Sequence, residues 1–199
     1  MRAIVISALL SLNLQASFAD GLPLGAPHDH SDQAESQLVV FDAQGKFVGS
    51  FSDYGGPGVY LTVNGAIAFV PMERLIVSGD GGPQTIYSGT DFRWSGTNAL
   101  DFGSSDCSGA PVITTSIGVR PSVTARQGAE VTLYIAGETN SGPMRVASTR
   151  SGPNFACVPN AIPSIEYGWP TETTYSVTGA YPEPLTIRYP RDGSYQRWR

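Results

Sequence analysis

Apolar residues recur along this chain at every second position or in short unbroken runs, and turn residues separate one run from the next. In "VYLTV", Val59, Leu61 and Val63 alternate with Tyr60 and Thr62, the two-residue period of a strand with one buried face. The following pair, Asn64-Gly65, precedes a second β-rich run, "AIAFVPME". Asn-Gly tolerates two successive positive φ angles, so it predicts a type I′ hairpin turn. Upstream, "QLVVFDAQGKFVGSF" predicts two strands around Asp42 to Gly45, where Asp caps through its side chain and Gly accepts a left-handed conformation. The echo of "SGTDF" in "SGTNALDF" predicts two more strands around a turn at Ser95 to Asn98. "APVITTSIGVR", "AEVTLYIAG", "MRVASTR" and "PLTIRYP" add β-branched runs bounded by Gly or Pro, and "DYGGPG" and "SGDGGP" break the chain. No window carries a helical stripe with caps. The pattern predicts an all-β fold, a sandwich or open barrel of short antiparallel hairpins with about nine or ten strands.

The first residues follow another logic. "MRAIVISALLSLNLQASFAD" has Arg2, an apolar run from Ala3 to Leu14, and small residues at Ser17 and Ala19. This is the layout of a secretory signal peptide over residues 1–19, with cleavage before Asp20. A buried N-terminal helix or a membrane anchor is the other reading. The run falls short of the roughly 20 apolar residues that span a bilayer, and no later segment is long and apolar enough. Residues 20–36, "DGLPLGAPHDHSDQAES", lack any apolar period and read as a flexible lead-in. Residues 37–199 read as one β domain with a Tyr/Pro-rich C-terminal part. A secreted or periplasmic destination follows.

Composition sharpens the picture in three respects. The formal net charge is −5, and loss of Arg2 with the signal peptide makes it more acidic. Nucleic acid and anionic membranes attract basic patches, so neither is an expected partner. The 23 glycines and 15 prolines suit frequent turns and little helix. The two cysteines, Cys107 and Cys157, are in an oxidising compartment most simply one disulfide. Two free buried thiols are the alternative. A zinc site needs more ligands, and a catalytic thiolate needs a basic partner close by.

The order of "VVFDAQGKFVGSF", "VYLTVNGAIAFVPME", "SSDCSGAPVI" and "VASTRSGPNFACVP" resembles a group of uncharacterised secreted bacterial all-β proteins. They share a V-x-D-x-x-G-x-x-V-G hairpin, a V-x-V-N-G hairpin and an S-x-D-C-x-G-x-P turn, with a second cysteine downstream. The resemblance covers roughly Leu38 to Pro159. It implies export and β structure, and brings over no catalytic residue. The insert "LIVSGDGGPQ" and the Tyr/Pro-rich end depart from the pattern.

Candidate chemistry is sparse. A serine hydrolase needs a histidine beside its nucleophile, yet the two histidines, His28 and His30, lie in the lead-in. No G-x-S-x-G elbow occurs. "HDHSD" carries imidazoles and carboxylates that would hold a transition metal weakly, but a solvated linker is the plainer reading. Asp80, Asp91, Asp101, Asp106, Glu130 and Glu138 offer carboxylates for a glycosidase pair, mostly in contexts where Asp caps turns. Tyr87, Phe92 and Trp94 on one candidate hairpin, with Trp169, are candidates for an aromatic platform that binds a sugar or protein. Core packing is the competing reading for each. Tyr167, Tyr175, Tyr181 and Tyr189 crowd the same C-terminal region, and "YPRDGSYQRWR" adds Arg191, Arg197, Trp198 and Arg199. No catalytic residue, metal or cofactor is assigned. The expected function is a non-enzymatic exported domain serving as a surface, structural or binding component of a bacterial envelope, with a protein or glycan ligand. A carbohydrate-binding module and a two-carboxylate hydrolase are the alternatives.

Overall fold

The computed structural model describes residues 37–115, 117–152 and 154–190. The segments read as signal peptide and lead-in, with both histidines, lie outside the described residues, as do residues 191–199 of the basic tail. In chain order the strands are β1 (Val39–Phe41), β2 (Phe47–Ser52), β3 (Gly58–Val63), β4 (Ala66–Ser78), β5 (Ile86–Trp94) and β6 (Ala99–Phe102). There follow β7 (Val112–Ile113), β8 (Ser122–Gln127), β9 (Glu130–Ala136), β10 (Gly142–Ser151) and β11 (Ala156–Ser176). A single turn of helix, α1 (Val177–Ala180), precedes β12 (Leu185–Arg188). The all-β expectation holds, with twelve strands among the described residues rather than nine or ten.

The local turn chemistry acts as the sequence requires. The Asp42 carboxylate accepts from the backbone N–H groups of Gln44 and Lys46, both at 2.9 Å, and turns β1 into β2. Asn64 and Gly65 take φ of 50° and 83°, so the β3–β4 turn has two left-handed residues, as type I′ demands. In β3, Val59, Leu61 and Val63 are buried while Thr62 is exposed. Both expected hairpins form, and β3 pairs with β4 over its full length.

Long-range pairing builds two units of architecture. Strands β1-β12-β5-β4-β3-β2 close into a six-stranded barrel, sealed where β12 enters between β1 and β5. The remaining strands form a sheet in the order β10-β6-β7-β11-β9-β8, with β10 also pairing β11. Val131, Leu133 and Ile135 of β9 are buried in the same cluster as Val40, Val59, Leu61, Val70, Trp94 and Leu185 of the barrel. The alternation of β9 thus bonds sheet to barrel, since full burial of each such aliphatic side chain contributes about 1.5–3 kcal/mol. A second cluster, Leu100, Phe102, Cys107, Ala125 and Phe155, lies within the other sheet.

Two expectations change here. The turn at Ser95 to Asn98 does not make a hairpin: β5 belongs to the barrel and β6 to the other sheet. Tyr87, Phe92 and Trp94 therefore do not share a hairpin with the residues after the turn. The crossing is anchored instead. The Trp94 indole N–H donates to the Tyr181 carbonyl at 2.9 Å, and its backbone N–H donates to the Glu183 carboxylate at 2.6 Å. Arg126 of β8 pairs with Glu183 and donates to the Trp94 carbonyl. The second change is β11, whose 21 residues contain Pro159, Pro163 and Pro170. Proline breaks a central ladder but is accepted where one strand edge has no partner. From Ala156 to Gly168, β11 pairs with β10, and only beyond that do β7 and β9 pair with it, as its two neighbours in the sheet.

Cys107 and Cys157 form the disulfide, with Cα atoms 5.9 Å apart. It ties the β6–β7 connection to the start of β11. The S-x-D-C stretch is a folded turn: Ser104 Oγ donates to the Ser108 carbonyl, and the Ser108 N–H donates to Asp106. Hydrogen bonds from Ser108, then from Ser104, hold the Asp106 carboxyl below its ordinary range. Fully buried Ser148 of β10 completes the turn, accepting from the Cys107 N–H at 3.0 Å and donating to the Ser104 carbonyl at 2.7 Å. Ser148→Ala leaves a buried donor and a carbonyl without this partner. It is expected to lower unfolding free energy by about 1–3 kcal/mol in urea titration, with the disulfide intact. A loss no larger than that of exposed Ser78→Ala would remove this role from Ser148.

Candidate functional site

The aromatic residues picked out from the sequence are dispersed. Trp94 is fully buried in the barrel, so it has no face to offer a ligand. Phe92 packs against the same core beneath the Arg74 guanidinium, 5.1 Å from its ring centre. Tyr87 is half exposed near the far end of β5, opposite Ile76. Trp169 is half buried on β11, opposite Ile113. The core reading applies to Trp94 and largely to Phe92, and the four do not form one platform. Tyr175 and Tyr181 pack against the barrel core, and burial raises the Tyr175 phenol above its usual range.

The carboxylates are similarly dispersed. Asp80 accepts from the Gly82 N–H within the β4–β5 loop, and Asp91 accepts from Ser88 Oγ. Asp101 accepts from Thr149 Oγ1 at 2.8 Å across the β6–β10 pair. Glu130 begins β9 at an exposed turn. Of the six, Glu138 alone lines one of the cavities described here.

That cavity is a polar cleft of about 300 Å³. Asn64 and Gly65 reach it from the β3–β4 turn, Arg120 from the approach to β8, Glu138 from just beyond β9, and Glu172 and Thr173 from β11. Arg120 is held in place by its backbone, whose N–H donates to the Ile67 carbonyl at 2.9 Å. Its guanidinium, mostly buried, pairs with exposed Glu138 at 2.5 Å. Glu172 lies across Gly137, where an added Cβ would come within 2.3 Å of Oε2. The bare glycine is what lets that carboxylate lie there. Glu172 was not a sequence candidate, because its neighbours Gly137, Glu138 and Arg120 are more than thirty residues away. Among the described residues, no group of His, Cys, Asp and Glu is placed to hold a metal ion. A second, apolar groove of about 190 Å³ has Phe69, Pro71, Ile117 and Val123 in its lining.

The ribbon formed by β10 and the first part of β11 exposes a run of large apolar side chains. Val158, Ile162, Ile165 and Tyr167 are 52, 86, 62 and 74 % exposed. Arg145 faces Ile165 and Pro143 faces Tyr167, so these four side chains share one face of the ribbon. Between the Ser148–Pro159 and Val146–Ser164 pairs, the four residues Asn160 to Pro163 oppose Ala147 alone. This outsize bulge carries Ile162 and is held by Asn160, whose side-chain amide donates to the Val146 carbonyl.

Comparison with known proteins finds no matching family model, no matching curated protein and no matching solved structure.

Proposed function

We propose that the chain is an exported, non-enzymatic binding component of a bacterial envelope that engages a protein partner through the β10–β11 ribbon. The exposed apolar side chains of that ribbon carry the reading. Scattered surface apolar residues are ordinary, but four large ones within ten residues of one strand are not. The disulfide at the start of β11, and the absence from the described residues of any helix long and apolar enough to cross a membrane, fit delivery to an oxidising compartment. Pro159 and Pro163 lack the N–H groups that an added strand would need, so contact is made by side chains rather than by sheet extension.

Site-specific photocross-linking in the exported protein tests this. A photoreactive residue at position 162 is expected to give defined protein adducts, and one at exposed position 44 is not. Ile165→Ser with Tyr167→Ser removes two apolar contacts, about 3 kcal/mol, and is expected to abolish the adducts. Identical adducts from both positions, or none from 162, would overturn the reading.

A further inference from the structure

The polar cleft has a chemistry of its own, separate from the ribbon. It brings a guanidinium, two carboxylates, an amide and a hydroxyl together from four parts of the chain. A simple anion would meet Glu138 and Glu172, and a simple cation would meet Arg120. A neutral group that both donates and accepts hydrogen bonds satisfies every member of the set. An alcohol does this: its O–H donates to a carboxylate while its oxygen accepts from the guanidinium or amide. Neighbouring hydroxyls on one ring would use Glu138 and Arg120 together, and others would reach Glu172, Thr173 and Asn64.

We propose that this cleft binds a single hydroxylated sugar residue. Its volume, about 300 Å³, lies at the low end for small-molecule sites and suits one ring rather than an extended chain. Two of its acceptors are fixed in advance. Arg120 orients Glu138, and Glu172 is seated on the bare backbone of Gly137. Such preorganisation lowers the ordering cost of binding. Among the described residues no aromatic side chain lines the cleft, so none of them supplies a ring to stack a sugar face. Recognition therefore rests on the hydroxyl pattern, and affinity falls in about the millimolar range.

Two-dimensional amide NMR of the oxidised, full chain tests the proposal, with glucose, galactose, mannose and N-acetylglucosamine as probes and methylammonium and acetate as controls. At least one sugar is expected to give saturable shifts at Asn64, Gly65 and Thr173, and the two ions none. Glu172→Gln keeps the shape of the side chain and is expected to weaken binding at least about tenfold, the cost of one charged hydrogen bond. Gly137→Ala is expected to weaken it similarly with an unchanged melting temperature, because the one contact of the new methyl under 3.4 Å is with the movable end of Glu172. Ile165→Ser with Tyr167→Ser, which disables the ribbon, is expected to leave sugar binding intact. Absence of saturable shifts with every sugar would overturn the proposal, as would binding unchanged by Glu172→Gln and Gly137→Ala. Saturable shifts with methylammonium or acetate alone would assign the cleft to an ion and overturn it equally.

Discussion

Replacing Cys107 and Cys157 together by serine is expected to remove about 4 kcal/mol of stability, the cost of freeing a loop with ends 50 residues apart in sequence. Domains of this size unfold with only about 5–15 kcal/mol in total, so a large part of the margin rests on one bond. At about 2–4 °C per kcal/mol, the melting temperature should fall by roughly 8–16 °C. Serine at position 107 carries an added cost, because Cys107 is buried among Leu100, Phe102, Ala125 and Phe155. Reduced wild-type protein is therefore the cleaner comparison, and should lose nearly as much as the double variant. Urea titration of oxidised, reduced and substituted protein measures both. Two titratable thiols in native, non-reduced protein would sink the prediction, as would coincident unfolding midpoints.

A comparable loss is expected from Glu183→Gln. The Glu183 carboxylate accepts from Arg126 and from the Trp94 backbone N–H, and the side chains of Glu183 and Arg126 are only 20 and 17 % exposed. Neutralising Glu183 leaves a largely buried guanidinium whose Nε already lacks a partner. Breaking one side of a buried ion pair costs about 3–5 kcal/mol, and the residual exposure here points to the lower figure. Arg126→Met together with Glu183→Gln removes both charges, keeps an acceptor for the Trp94 N–H, and should cost less than Glu183→Gln alone. A double-mutant cycle in urea gives the coupling directly. Additive effects would mean that the pair does not hold β8 to the barrel.

What was legible in the sequence was local. Asp42 and Asn64-Gly65 set their turns through groups within four residues, and the period of β3 needs only its own side chains. The cysteine pair was readable because there was one way to pair two. Strand partners were not readable. Nothing near Trp94 signals that the next strand leaves the barrel, because the anchors Arg126, Tyr181 and Glu183 arrive from far along the chain. β11 was hidden by its own prolines, which argue against a strand unless one edge is known to be open. The same distance hid the cleft. Glu138 stands out in the sequence as a candidate acid, but Glu172 becomes notable only with Gly137 beneath it.

The seal of the barrel sets an order in time. Val39 pairs with Arg188, so the first strand waits for the last, and β5 lacks its neighbour until β12 arrives. Contacts this remote in sequence form slowly, because a long loop must close before they give anything back. Until then β1 and β5 each present an open edge. The native state is therefore reached only after nearly the whole described chain is available.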